Sequence, residues 1–204
     1  PGPTTFDGII SWGGSVKNGP KAPLGAYKVK MKIGDEVVQE LPFNVVMDPN
    51  LKGITKEDLD KQFELASKIT KKASIANEAV IQIRSIRKQL DSIGKAITSK
   101  QFKKLSSDLM VPLTVVEEDL YQVKNQSGQD PLNFPIKLNN RFISLQRSIE
   151  NGDAKPTDAS YVVFDELSKE LDIHIGKLNN TLAKQLPKVN AFLEKNGSAT
   201  ISLE

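Results

Sequence analysis

Two hydrophobic rhythms divide the chain. From Gly25 the apolar Tyr27, Val29, Met31 and Ile33 alternate with Ala26, Lys28, Lys30 and Lys32, the period of two that marks a strand with one buried face. Gly34-Asp35 is a tight-turn pair, and residues 36–46 form a second, valine-rich run, so the pattern predicts a hairpin. Pro42 lies inside that second run and, lacking an N–H, predicts an edge strand or a bulge there. A lone hairpin cannot bury its apolar face on itself. It needs partners, and three sources offer them: the lead, where Phe6, Ile9, Ile10 and Trp12 stand among glycines, the stretch Ala199-Thr200-Ile201-Ser202, or strands upstream of Pro1.

After Asp48-Pro49 the period changes to that of helices. Thr55, followed by Glu57 and Asp58, is a helix start of the capping-box kind. Apolar or small residues then recur at Leu59, Phe63, Ala66, Ile69, Ala73, Ala76, Val80, Ile83, Ile86, Leu90 and Ile93. This row predicts one helix over 56–93, roughly 57 Å long. A second helix starts near Ser99, with Phe102, Leu105, Leu109, Leu113, Val116, Leu120 and Val123 on one face. A short third helix begins between 131 and 136 and carries Leu138, Phe142, Leu145 and Ile149. A fourth starts near Thr157 and runs through Tyr161, Phe164, Leu167, Leu171, Ile175, Leu178, Leu182, Leu186, Val189 and Leu193. Pro112 and Pro187 fall inside the second and fourth rows and predict bends.

The expected fold is therefore α+β, mainly α: a partial Ig-like β-sandwich or hairpin followed by an antiparallel four-helix bundle with long first and last helices, in up-down-up-down order. Residues 1–50 make the partial β region with upstream strands missing, 51–197 the bundle, and 198–204 a tail. Leu203-Glu204 reads as the trace of a cloning site, and the start at Pro1 reads as a fragment of something longer.

Composition narrows the chemistry. The 28 basic and 25 acidic residues are interspersed and leave a net charge of +3, which makes no electrostatic case for nucleic acid; Lys100, Lys103 and Lys104 read as a solvated helix face. The chain has no cysteine, so disulfides and thiolate metal sites are excluded, and no apolar run suits membrane insertion. The single histidine, His174, excludes a multi-histidine metal site and reads as a boundary or exposed residue. Glu117-Glu118-Asp119 and Asp165-Glu166 are adjacent on helices and point in different directions, so neither is a ready acid/base pair. No nucleotide loop, G-x-S-x-G or H-E-x-x-H pattern occurs. The expectation is no catalytic residue, no cofactor and no metal. Phe6, Trp12 and Tyr27 are the candidate contacts for a glycan or for a neighbouring domain, since aromatic faces stack on sugars but more often serve burial.

Several stretches together resemble one family. "GPKAPLGAYKVKMKIGDE", "VVMDPN", "EAVIQIRSIRKQLD", "SGQDPLNFPIKLNNRF" and "YVVFDELSKELD" are similar to the C-terminal region of large exported bacterial proteins with a sortilin-like, BNR-repeat β-propeller, often labelled glycosyl hydrolase or sialidase-like. The resemblance implies a secreted, periplasmic or cell-surface setting and a partner in the propeller of the same polypeptide. It also implies that any hydrolysis belongs to that propeller. The function expected is a non-catalytic accessory and interaction region, with a glycan-binding module as the alternative.

Overall fold

The computed structural model describes residues 1–13 and 16–203; Ser15 of the lead and Glu204 of the expected cloning trace lie outside them. The element order is β1 (Gly25–Ile33), β2 (Glu36–Val45), α1 (Lys56–Gly94), α2 (Lys100–Leu120), α3 (Leu138–Ile149) and α4 (Asp158–Lys195). The fold is α+β and mainly α, with the change of period between Val45 and Lys56, where the sequence places it.

β1 and β2 pair antiparallel from Gly25↔Val45 to Ile33↔Glu36, with an irregularity after Met31. Gly34 has φ +61 and, among the described residues, no non-glycine residue has positive φ, which fits a II′ turn with glycine at its first central position. Among the described residues no third strand joins this pair. The lead and the 199–202 stretch, two of the three alternative strand sources, supply none among the described residues, and of the two readings of Pro42 the edge holds, since the bulge falls near Met31. Both strands are edges, which accommodates the proline.

α1 begins with the expected box: Thr55 Oγ1 accepts from the Asp58 N–H at 3.2 Å and Asp58 Oδ2 accepts from the Thr55 N–H at 3.0 Å. Ser99 and Thr157 cap α2 and α4 through their side chains. α2 and α4 run unbroken through Pro112 and Pro187. Both prolines are exposed, so the carbonyls that lose a helical partner face water, where solvent satisfies them. α3 starts at Leu138, later than expected, because residues 130–132 close only a single 3-10 turn and Pro135 holds the preceding residue out of the helical region.

The helix directions differ from the expected order. α1 runs antiparallel to α2, since Phe102 packs beside Gly94 and Glu117 meets Arg84. It also runs antiparallel to α3, as Asn77 meets Asn139 and Gln62 reaches the carbonyl of Ile149. α2 and α3 therefore point the same way, each covering one half of α1. α4 is antiparallel to α2, with Phe192 stacked on Phe102 and His174 beside Asp119. The order is up-down-down-up: two long rods and a third rod broken between α2 and α3. The correction has a simple cause. The connection from α2 to α3 is not a short reversal but a long irregular segment that carries the chain onward.

The core lines these seams: Ala66, Ile69, Ala73, Ala76, Val80, Ile83 and Ile86 of α1 are completely buried, as are Leu109, Leu113, Phe142, Leu171 and Leu193. Phe63, expected in the α1 row, is instead 37% exposed and Gln62 takes the inward position. His174 is also a correction: it is 9% exposed. The steps from Leu171 to His174 and on to Leu178, of three and four residues, are those of a seam position.

In the connecting segment, Asp130 accepts hydrogen bonds from the N–H groups of Gln126 and Ser127 at 2.6 and 2.8 Å and from the Ser127 hydroxyl at 3.0 Å. The backbone donors, Gln126 first, hold its carboxyl below the ordinary aspartate value of 3.8. A depressed folded-state value means that the contribution is complete above the unfolded value and is lost as pH falls through the folded one. A carboxyl-detected NMR titration is expected to place Asp130 below 3.8; a midpoint at or above that value contradicts these bonds.

Candidate functional site: the clasp at the helix break

Where α2 ends and α3 begins, the broken rod leaves helix termini and their polar groups against the middle of α1, and the lead lies across this gap. Thr4 donates its N–H to Ser74 Oγ at 3.0 Å and its carbonyl accepts from Asn77 Nδ2 at 2.8 Å. Asn77 is completely buried, and its Oδ1 accepts from Asn139 Nδ2 at 3.0 Å. Asn139 Oδ1 in turn accepts from the Asn140 N–H at 2.7 Å, which satisfies one of the orphan donors at the start of α3. Asn140 Oδ1 accepts from the Trp12 N–H at 2.6 Å while its Nδ2 donates to the Trp12 carbonyl at 2.9 Å. The asparagine amide thus pairs with the lead as a neighbouring strand's peptide group would.

The same device holds the tail. Asn190 pairs with both the N–H and the carbonyl of Ile201, at 2.9 and 3.1 Å, and Gln89 does so with Ser202 at 3.0 Å for each bond. Residues 199–202 are therefore folded back on α1 and α4, with Ile201 buried, and they lie away from the hairpin.

A charged half completes the clasp. Glu117, only 3% exposed, accepts from Arg84 Nε at 2.7 Å and from Arg87 Nη2 at 2.6 Å. The Arg84 guanidinium lies over the rings of Phe6, at 4.7 Å, and Tyr121, at 5.2 Å, and those rings meet edge to face at 5.0 Å. The Tyr121 hydroxyl accepts from the Ile10 N–H at 3.1 Å and donates to the Gly8 carbonyl at 3.2 Å. Further along, a Cβ on Gly2 or Gly19 would stand 2.4 Å from the Lys17 carbonyl oxygen or 2.5 Å from that of Pro1. The two ends of the lead cross there in direct backbone contact, which only glycine permits.

The three aromatic candidates are not brought together. Phe6 is packed in the clasp, Trp12 is 43% exposed beside α3, and Tyr27 sits at the hairpin base, stacked on Phe43 at 5.6 Å with its hydroxyl donating to the Pro23 carbonyl. Each has a different neighbour, so they form no shared platform. Of the carboxylates, Glu117 is committed to its arginines and Glu118 is exposed, while Asp119 Oδ2 stands 3.4 Å from His174 Nδ1, a contact outside good hydrogen-bond geometry. Among the described residues no group of three or more ligating side chains could hold a metal, and no helix is long and apolar enough to cross a membrane.

Asn77, Arg84, Glu117, Tyr121, Asn139 and Asn140 escape a search for catalytic motifs. Their signal is positional: Asn77 interrupts the alanine row of α1 between Ala76 and Val80, and Asn139-Asn140 stand between the apolar Leu138 and Phe142. Polar side chains there require partners. Asn140→Ala strands two backbone groups of Trp12 and is expected to cost about 1–3 kcal/mol, seen as earlier thermal unfolding and faster proteolysis within 1–13; unchanged unfolding and cleavage would show that the clasp is dispensable.

The hairpin is the opposite case. Its polar face carries Lys28 and Lys30, both paired with Glu40 at 2.7 and 3.0 Å. Its apolar face has no cover: Val29 is 55% exposed, Met31 53%, Leu41 52% and Phe43 48%. The strands pair with each other and with no helix. Comparison with family models, with curated proteins and with solved structures finds no match.

Proposed function

We propose that the chain is a non-catalytic accessory and interaction region of a larger exported protein, in which a self-contained helical bundle presents the hairpin to a β-structured neighbour. The neighbour that the sequence resemblance implies is a β-propeller of the same polypeptide. One observation carries the reading: the face built from Val29, Met31, Leu41 and Phe43 has the composition of a core but lies open. Four such side chains amount to a contiguous apolar patch of the kind that marks contact with another structure, and a two-stranded sheet is marginal without one. The clasp supports the same reading, since it spends buried polar groups on fixing the lead to the bundle and so sets the geometry from which the hairpin projects. The glycan alternative is weakened because Phe6, Trp12 and Tyr27 share no surface.

Two assays test it on the chain itself. Incubation with model aryl glycosides is expected to release no product above a protein-free blank, and a glycan array is expected to show no binding that Trp12→Ala abolishes. Turnover would overturn the non-catalytic reading, and Trp12-dependent glycan capture would put the glycan module in its place.

A further inference from the structure

The two edges of the hairpin are not equivalent. The ladder runs unbroken through Lys28↔Pro42, and proline has no N–H to give. That pair must therefore lie between hydrogen-bonded pairs, so Tyr27↔Phe43 and Val29↔Leu41 exchange the inward bonds. It follows that the proline nitrogen faces the outer edge of β2, which lacks a donor at its centre. The outer edge of β1 is complete: Lys28 and Lys30 turn N–H and carbonyl groups outward, and Ala26 and Lys32 continue the row.

The side chains of those same residues set the charge. Lys28, Lys30 and Lys32 stand on one face of β1, and Glu40 is the acidic residue that pairs with the first two. A second copy of β1 laid along this edge would place lysines against lysines, which is destabilising and is one way edge strands avoid self-association. An acidic strand meets the opposite situation.

We infer that the outer edge of β1 is an acceptor site for an extended polypeptide segment in which acidic and apolar residues alternate, its carboxylates over Lys28, Lys30 and Lys32 and its apolar side chains extending the Val29–Met31 face. This rests on the reading of the hairpin as an interaction surface and adds which edge is used and what the incoming strand carries. Backbone bonds supply the docking and side-chain alternation the selectivity, as in other cases of strand addition. The β-structured neighbour that donates the strand also covers the apolar face.

Amide hydrogen exchange of the whole chain, followed residue by residue by NMR, tests it with blocked peptides about eight residues long, one alternating glutamate with valine and one alternating lysine with valine. With the acidic peptide at about ten times its Kd, exchange at the Lys28 and Lys30 amides is expected to slow roughly tenfold, an effect that weakens with added salt. The lysine peptide is expected to do nothing. Lys28→Glu with Lys30→Glu should exchange the two preferences. Slowing at Glu40 and Asn44 on β2 instead, equal slowing by both peptides, or none by either overturns the edge assignment and leaves the interaction reading standing. Hairpin amides that are already as protected in the free chain as those of the bundle core would overturn the interaction reading as well.

Discussion

Phe142→Ala is expected to lower the stability of the chain by about 3–5 kcal/mol, the range for truncating a fully buried aromatic. Phe142 is completely buried on α3, and α3 is only Leu138–Ile149, too short to persist alone in water. It is held by its packing on α1 and α4 and by the Asn139–Asn77 bond. The loss is therefore expected to reach beyond the cavity: denaturant unfolding should show a lower midpoint, and exchange should rise across α3 and residues 4–12 together, because Asn140 of α3 holds Trp12. A loss of unfolding free energy below about 1 kcal/mol would mean that α3 is not integral to the core.

Glu117→Ala is the second large effect. It leaves Arg84 and Arg87 without their shared carboxylate. Removing one partner of a buried ion pair costs about 3–5 kcal/mol, and about 3 is expected here because the arginine side chains are 36% and 35% exposed and water recovers part of the loss. Arg84 then no longer holds its place over Phe6 and Tyr121, so the lead should loosen, detected as increased exchange at Ile10, whose N–H bonds the Tyr121 hydroxyl. Glu118→Ala, one residue on and exposed, is the control and should change little. Equal effects at the two positions would contradict the placement of Glu117.

The contrast between these neighbours shows what was legible beforehand. Apolar periodicity locates β1, β2 and all four helices, and the caps at Thr55, Ser99 and Thr157 give the starts of α1, α2 and α4 nearly to the residue, because these are local properties that side-chain spacing encodes directly; α3, which has no side-chain cap, starts later than expected. Helix direction is not local. Leu138, Phe142, Leu145 and Ile149 mark a helix equally well whichever way it runs, and only the partners of Asn77 and Gln62 reveal that α3 continues α2. His174 was assigned to the margin because polar residues usually stay outside, although its spacing from Leu171 and Leu178 was that of the seam. The lead differs for a related reason: Phe6, Ile9, Ile10 and Trp12 read as strand material, whereas the groups that hold it are the amides of Asn77 and Asn140, the Arg84 guanidinium and the Tyr121 hydroxyl, all far away in the chain. That the hairpin needs a partner follows from the sequence, since two strands cannot cover themselves; that neither the lead nor residues 199–202 supply one does not.

The openness of the hairpin is the centre of the account, and the thermal unfolding of the double variant Val29→Lys, Leu41→Lys tests it most directly. If the face is open and independent of the bundle core, each change is a surface substitution worth no more than about 0.5 kcal/mol, and the unfolding temperature of the chain should move by less than about 4 °C. A fall of about 8 °C or more would show that Val29 and Leu41 are packed against the rest of the molecule, and the hairpin would then belong to its core rather than to a partner.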